Sequence, residues 1–270
     1  MNRQVLEAVS FPVEKRQVYF KGAQGYPNPI PGRQAVVRTD TEQALSIVSD
    51  EYKLVPYAEV VEPLLEAVDK QGGKLVERTY GRRASPVRIE GDGKRVWIEA
   101  TFGGGIEIGK DLIQPRLVYG NSYDTTSAVR VICGFFQVKC TNAGALMIPG
   151  QVRGMGGGSF YAQHHGKWDL ELAKIGDGIK LFLDGFENHA QSLRSMLNMR
   201  VPDQVMDQLS IGIIGQRALA KKPLTPQDQE SAWAFYSRLT NYITMDFKGG
   251  QQPAERRAAA ALKEIMEQMR

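Results

Sequence analysis

Apolar and polar residues alternate most cleanly in RVWIEATF, residues 95–102, where Val96, Ile98, Ala100 and Phe102 face one way and Arg95, Trp97, Glu99 and Thr101 the other. A period of two describes a strand with one face in the core and the other available. Further strand-like runs surround it: KLVERTY (74–80), LIQPRLVYGNS (112–122) and SAVRVICGFFQVKC (127–140). Turn residues at Gly91-Asp92-Gly93 and Gly103-Gly104-Gly105 separate the earlier runs, which predicts an antiparallel meander. Upstream, two β-branched runs flank Thr39-Asp40-Thr41-Glu42 and predict a hairpin. Before them the chain is poorly patterned, with YPNPIPG (26–32) read as an extended segment.

Helical spacing takes over elsewhere. Val60, Val61, Leu64, Leu65 and Val68 mark a helix within Pro56 to Lys70, stopped by Gly72-Gly73. Pro63 predicts that this helix begins near residue 62 or kinks there. From Ile175 to Leu197, apolar residues recur at steps of three and four, which predicts one amphipathic helix of about seven turns weakened by Gly176, Gly178 and Gly185. A further helix is expected from Pro226 to Phe247, with Thr225 as its N-cap and a stripe of Ala232, Trp233, Tyr236, Leu239 and Ile243. The alanine-rich tail is expected to be helical.

The fold expected is therefore α+β: a mostly antiparallel central sheet, made of the N-terminal hairpin and the meander, covered by helices, with a helical C-terminal part. Residues 1–150 form the hairpin and sheet region, 151–167 a glycine-rich loop, 168–250 the helical part and 251–270 a helical tail.

At 270 residues, with 42% hydrophobic and 24% charged side chains, the balance is that of an ordinary globular protein. No stretch approaches the roughly 18 uncharged apolar residues of a membrane span. MNRQVLEAVS has no apolar run after its charges, so no export signal is expected. The two cysteines fit a reducing cytoplasm. In a regular strand, Cys133 and Cys140 lie on opposite faces roughly 23 Å apart and cannot share a disulfide or a metal.

Charge changes the picture. Residues 72–167 hold 13 Lys/Arg against 7 Asp/Glu, while the whole chain has a net charge of only +4. A localised surplus suggests an anionic partner, most simply nucleic acid. Arg82, Arg83, Lys94, Arg95, Arg116 and Arg130 lie in or beside strands, with Trp97 and Tyr119 interleaved. Arg153, Tyr161 and Lys167 belong to the glycine-rich loop, expected to be mobile and to order around a bound strand. Cations neutralise phosphates, and aromatic faces stack on unpaired bases of any sequence. The alternative for Trp97 and Tyr119 is simple packing beneath a helix.

The familiar catalytic patterns are missing. Gly154-Met155-Gly156 lacks a third spaced glycine and no Gly-Lys-Ser/Thr follows; no G-x-S-x-G, H-E-x-x-H or Cys-x-x-Cys occurs. His164 and His165 are adjacent and diverge. His189 lies near the stripe of the long helix, where a hydrogen-bonded core histidine is expected. No catalytic residue, metal site or cofactor is implied. The alternative reading is a metal-dependent nuclease or nucleotide hydrolase that uses Asp111, Asp124, His164 and His165.

AVVRTDTEQALSIVSDEYKLVP, RLVYGNSYDTTSAVRV, VKCTNAGAL, HHGKWDLELAKIGDGIKLFLDGFENHAQSLRSM and SAWAFYSRLTNYI occur in an order that resembles the phage- and plasmid-related family called domain of unknown function 932, over about residues 33–247. The resemblance implies that Cys140-Thr141-Asn142 ends a central strand, with Thr141 and Asn142 bonding local backbone and the thiols acting in packing. Members of that family often carry histidine and glycine where this chain has Tyr123 and Thr125. Its home in mobile elements implies work on their DNA. The expectation is a homo-oligomeric protein that binds single-stranded DNA in recombination or replication, with strand annealing as a candidate activity and no contact with a membrane.

Overall fold

The computed structural model describes residues 2–80, 83–109, 111–137, 148–149, 159–162, 164, 174–214, 231–245 and 265. Thr225, Pro226, the Cys140-Thr141-Asn142 cluster, the glycine-rich stretch 150–158 and all of the tail except Ile265 lie outside the described residues.

The fold is α+β with antiparallel sheets. The chain opens with α1 (Asn2–Val9), β1 (Val13–Lys21), β2 (Pro27–Arg38), β3 (Gln43–Ser49) and α2 (Tyr57–Lys70). Short strands β4 (Gly73–Leu75), β5 (Arg78–Tyr80), β6 (Arg83–Ser85) and β7 (Val87–Glu90) lead to β8 (Arg95–Phe102). Then come β9 (Ile106–Ile108), β10 (Asp111–Ser122), β11 (Val129–Gln137), β12 (Ile148–Pro149) and β13 (Ser159–Ala162). The described helices beyond them are α3 (Lys174–Asp184), α4 (Phe186–Ser195), α5 (Asp203–Ile214) and α6 (Ala232–Met245).

The chain divides into two compact units, each discontinuous in sequence. The first holds residues 1–102, 116–132 and 154–181. Its smaller sheet runs β1-β2-β3, and the expected hairpin at Thr39 to Glu42 joins β2 to β3. Its larger sheet is built on β8, which pairs antiparallel with β7, β4 and the part of β10 from Arg116 onward. β13 pairs with the first part of β11. As the alternation predicts, Val96, Ile98, Ala100 and Phe102 are buried.

Helix α2 covers that apolar face. Its buried residues are Tyr57, Val60, Val61, Leu64, Leu65 and Val68. A Cβ at Gly73 would meet Val68 and the Phe102 ring at 2.7 and 2.6 Å, so glycine permits the close approach of helix and sheet. The helix starts at Tyr57 and passes through Pro63 without ending, which corrects the later start inferred from the proline. Six buried residues on one stripe outweigh one missing backbone bond.

The second unit holds residues 103–115, 133–153 and 182–270. There β9 pairs with the start of β10, and β12 with β11 at Gly134 and Phe135. The indole of Trp233 in α6 donates to Asp111 Oδ2 at 3.0 Å. Ser231 Oγ accepts the Ala234 N–H at the start of α6.

The single helix expected from Ile175 to Leu197 is two, α3 and α4, which separate at Gly185. Ile175, Ile179 and Phe182 are buried on the first, Ala190 and Leu193 on the second. A glycine between two short amphipathic stretches costs helix stability and leaves the stripe readable while the backbone breaks.

Candidate nucleic-acid interface

Residues directly opposite each other in an antiparallel ladder share a face. On β8 the face that carries Arg95, Trp97, Glu99 and Thr101 continues through Arg116, Val118, Gly120 and Ser122 on β10, Arg88 and Glu90 on β7, and Lys74 on β4. Arg130 of β11 reaches the same face, its guanidinium stacked 4.5 Å above the Trp97 ring. Tyr161 stands opposite Arg130 in the register. A Cβ at Gly120 would lie 2.4 Å from the Trp97 ring and 3.1 Å from Arg130 Nε, so glycine opposite the indole makes room for the pair.

This face is extensively ion-paired. Arg78 donates through Nε and Nη2 to the two oxygens of Glu99 at 2.8 and 2.7 Å, a bidentate pair, and Arg116 Nη1 reaches the same carboxylate at 3.2 Å. Burial pushes the Arg116 guanidinium below its ordinary pKa, an effect that Glu99 opposes and Arg78 reinforces. Arg95 Nε donates to Asp124 Oδ2 at 2.7 Å and also approaches Glu90, which pairs with Arg88 as well. Six cations, Lys74, Arg78, Arg88, Arg95, Arg116 and Arg130, thus stand on or against the face, and three carboxylates, Glu90, Glu99 and Asp124, pair with them.

The sequence-predicted residues fare unequally. Arg95, Trp97, Arg116 and Arg130 come together on one face. Trp97 is half-buried, and Arg130 is only 3% exposed. Lys94 is half-buried just before β8, and its carbonyl accepts the Tyr57 hydroxyl. Tyr119 corrects the expectation: it lies opposite Ile98 on the apolar face, is 0% exposed, and has no ring surface for a base. Arg83 and Tyr161 are placed by backbone alone, while Arg82, Arg153, Lys167 and His165 lie outside the described residues. The side chain of His189 is likewise outside them.

The groups named for the enzymatic alternative are held by local partners. Asp111 accepts from Trp233 in the second unit. Asp124 accepts from Arg95 and from the Thr126 N–H and hydroxyl. His164 has Nδ1 3.1 Å from the Lys53 carbonyl and Nε2 3.1 Å from Asn121 Oδ1, with its ring stacked on Tyr52 at 4.6 Å. Asn121 Oδ1 also accepts the Ser122 N–H, which fixes the amide orientation, and His164 Nε2 is therefore a donor. The Tyr119 hydroxyl and Asn121 Nδ2 are buried beside this group, and the Asn121 side chain opposes the upward push of burial on the Tyr119 phenol. Among those residues no group of three or more His, Cys, Asp or Glu is arranged to hold a metal ion.

Sequence reasoning missed this buried knot of Tyr52, Asn121 and Ser122. It joins three of the stretches that carry the family resemblance, SDEYKLVP, RLVYGNSYDTTS and HHGKW. The signal was their separate occurrence; their convergence on one point is a product of the fold.

Residues 44–265 match the model of the family described as Domain of unknown function (DUF932), and the chain belongs to that family. No curated protein and no solved structure matches it. Among the described residues no helix is long and apolar enough to cross a membrane.

Proposed function

We propose that this member of the family binds single-stranded DNA as an oligomeric accessory of phage or plasmid DNA recombination or replication in the bacterial cytoplasm. Strand annealing suits such a binder, because phosphate contacts and base stacking need no sequence readout. The observation that carries the reading is the register of the larger sheet, which gathers six cations against three paired carboxylates on or against one face. A local excess of positive charge attracts a polyanion, and each phosphate neutralised releases counterions.

Exposed Lys74 and half-buried Lys94 are suited to phosphate contact, because their ammonium groups are not engaged in ion pairs among the described residues. Arg95, at 41% side-chain exposure, can exchange part of its pairing with Asp124 for a phosphate. The buried Arg130 and the half-buried, ion-paired Arg116 contribute field rather than direct contact. Trp97 offers at most a ring edge, since Arg130 covers one face of it and Gly120 lies against the ring.

The test is fluorescence anisotropy of a labelled oligothymidylate titrated with protein at several salt concentrations. Lys74→Glu combined with Lys94→Glu should weaken binding to all sequences alike and flatten the salt slope by about 0.7 for each phosphate no longer neutralised. Unchanged affinity and slope in that variant would remove Lys74 of this face and the adjoining Lys94 from the interface.

A further inference from the structure

Strands β1 and β2 continue beyond the sheet they help to form. β3 pairs only with Arg33–Arg38 of β2, so the remainder of the hairpin has no third strand among the described residues. A register shift between Gln17 and Tyr19 marks where this two-stranded arm begins. None of residues 18–33 is buried. The arm closes through Gly22–Tyr26, with the Gly22 N–H donating to the Tyr26 carbonyl and Gly25 at φ +83°. Three aromatic rings stand in solvent on it: Tyr19 at 57% exposure, Phe20 at 53% and Tyr26 at 70%.

Between Glu14 and Asp40 the chain has five cations and no carboxylate. Three of the cations are occupied at the base of the arm: Lys15 donates to the Asp50 and Tyr52 carbonyls, Arg16 pairs with Glu14 and Glu42, and Arg38 pairs with Asp40. Lys21 and Arg33 form no side-chain hydrogen bond or ion pair among the described residues. Burial makes no use of these rings, and among the described residues no ion pair uses these two charges. Exposed apolar groups beside unpaired cations mark an interaction site.

Two occupants fit poorly. Strand addition by a second copy meets an obstacle on both edges of the arm: Pro27, Pro29 and Pro31 remove every other backbone donor of β2, and the irregularity between Gln17 and Tyr19 interrupts the β1 edge. A lipid surface would favour apolar groups on one side of the arm, whereas adjacent Tyr19 and Phe20 fall on opposite faces of the ribbon. A flexible single strand can follow both faces.

We infer that the β1–β2 arm is a contact site for single-stranded nucleic acid, on which Tyr19, Phe20 and Tyr26 stack unpaired bases while Lys21 and Arg33 neutralise the backbone. The inference rests on the nucleic-acid reading above but assigns the contact to residues before the family-matched region, which starts at residue 44. An arm with both faces in solvent has little fold stability to lose when its rings are truncated.

The experiment uses the full chain and labelled oligothymidylate. Tyr19→Ala, Phe20→Ala and Tyr26→Ala together should weaken binding at least about tenfold with little change in salt slope. Lys21→Ala with Arg33→Ala should instead lower the slope by about 1.4. Both variants should melt with the parent. Parental affinity in the aromatic variant would overturn the arm; if Lys74→Glu/Lys94→Glu still weakened binding, the face reading would stand without it. Absence of oligonucleotide binding by the parent would overturn both. Loss of binding to phosphatidylserine vesicles with unchanged oligonucleotide affinity would overturn the inference in favour of a lipid surface.

Discussion

The hydroxyl of Tyr123 accepts the backbone N–H of Tyr57 at 2.9 Å while the two rings stack with centroids 4.0 Å apart. Tyr57 is the first residue of α2, and Pro56 before it supplies no side-chain cap. Tyr123 therefore caps the helix from outside it, satisfying one of the amides a helix start leaves open. Tyr123→Phe keeps the stack and removes the acceptor from a buried site. It should lower stability by about 1–3 kcal/mol in denaturant unfolding. Unchanged stability would mean that the Tyr57 amide finds another acceptor. Tyr123 thus serves as a structural group in this chain.

Two residues along, Thr125 sits at φ +63°, a conformation disfavoured for a β-branched side chain. Glycine meets no such penalty in this conformation. Relief of about 1–2 kcal/mol of left-handed strain competes with the greater freedom of an unfolded glycine. Thr125→Gly should leave the protein equally or more stable in a thermal melt. A clear drop would show that the Thr125 side chain contributes more than its backbone costs.

The core was legible because period-two and period-3.6 patterns report burial on one face, as in Val96 to Phe102 and Val60 to Val68. The arm was not. A two-stranded ribbon with both faces in solvent imposes no alternation, so Val13 to Gly32 read as unpatterned. The short helix Asn2–Val9 escaped similarly, with only Val5 and Val9 buried. Charge was legible by position but not by partner. Glu90, Glu99 and Asp124 take up much of the basic series, and only the register shows which cations they meet. Trp97 and Tyr119 are both aromatic residues in strands, but the ladder sends one to the polar face and the other into the core.

Cys133 is buried, and burial pushes its thiol up to about 12. A thiolate is the reactive form, and little of it exists in the folded protein near neutral pH. In a Cys140→Ser background, Cys133 should resist Ellman's reagent until the protein is unfolded and then react fully. Rapid labelling of the native protein would contradict its burial.

Burial pushes the Asp124 carboxyl up, but hydrogen bonds from the Thr126 hydroxyl and N–H and from Arg95 push it down further, so the net shift is below the ordinary aspartate value. A depressed carboxylate contributes stability above its unfolded pKa and loses it as pH falls through the folded one. The parent should therefore be more stable than Asp124→Asn at neutral pH. That advantage should shrink as pH falls below about 4, measured by urea unfolding across pH. A constant difference would mean that Asp124 acts through packing alone.

Whether this protein is a single-strand binder is decided by titrating the intact chain into labelled oligothymidylate across salt, with the oligomeric state measured on the same samples. Binding by an oligomer is expected, with log affinity falling linearly in log salt at about 0.7 per phosphate neutralised. Arg153→Ala with Lys167→Ala should lower that slope by about 1.4 if the glycine-rich stretch joins the interface. No binding at low salt, or an affinity indifferent to salt, would contradict the proposed function.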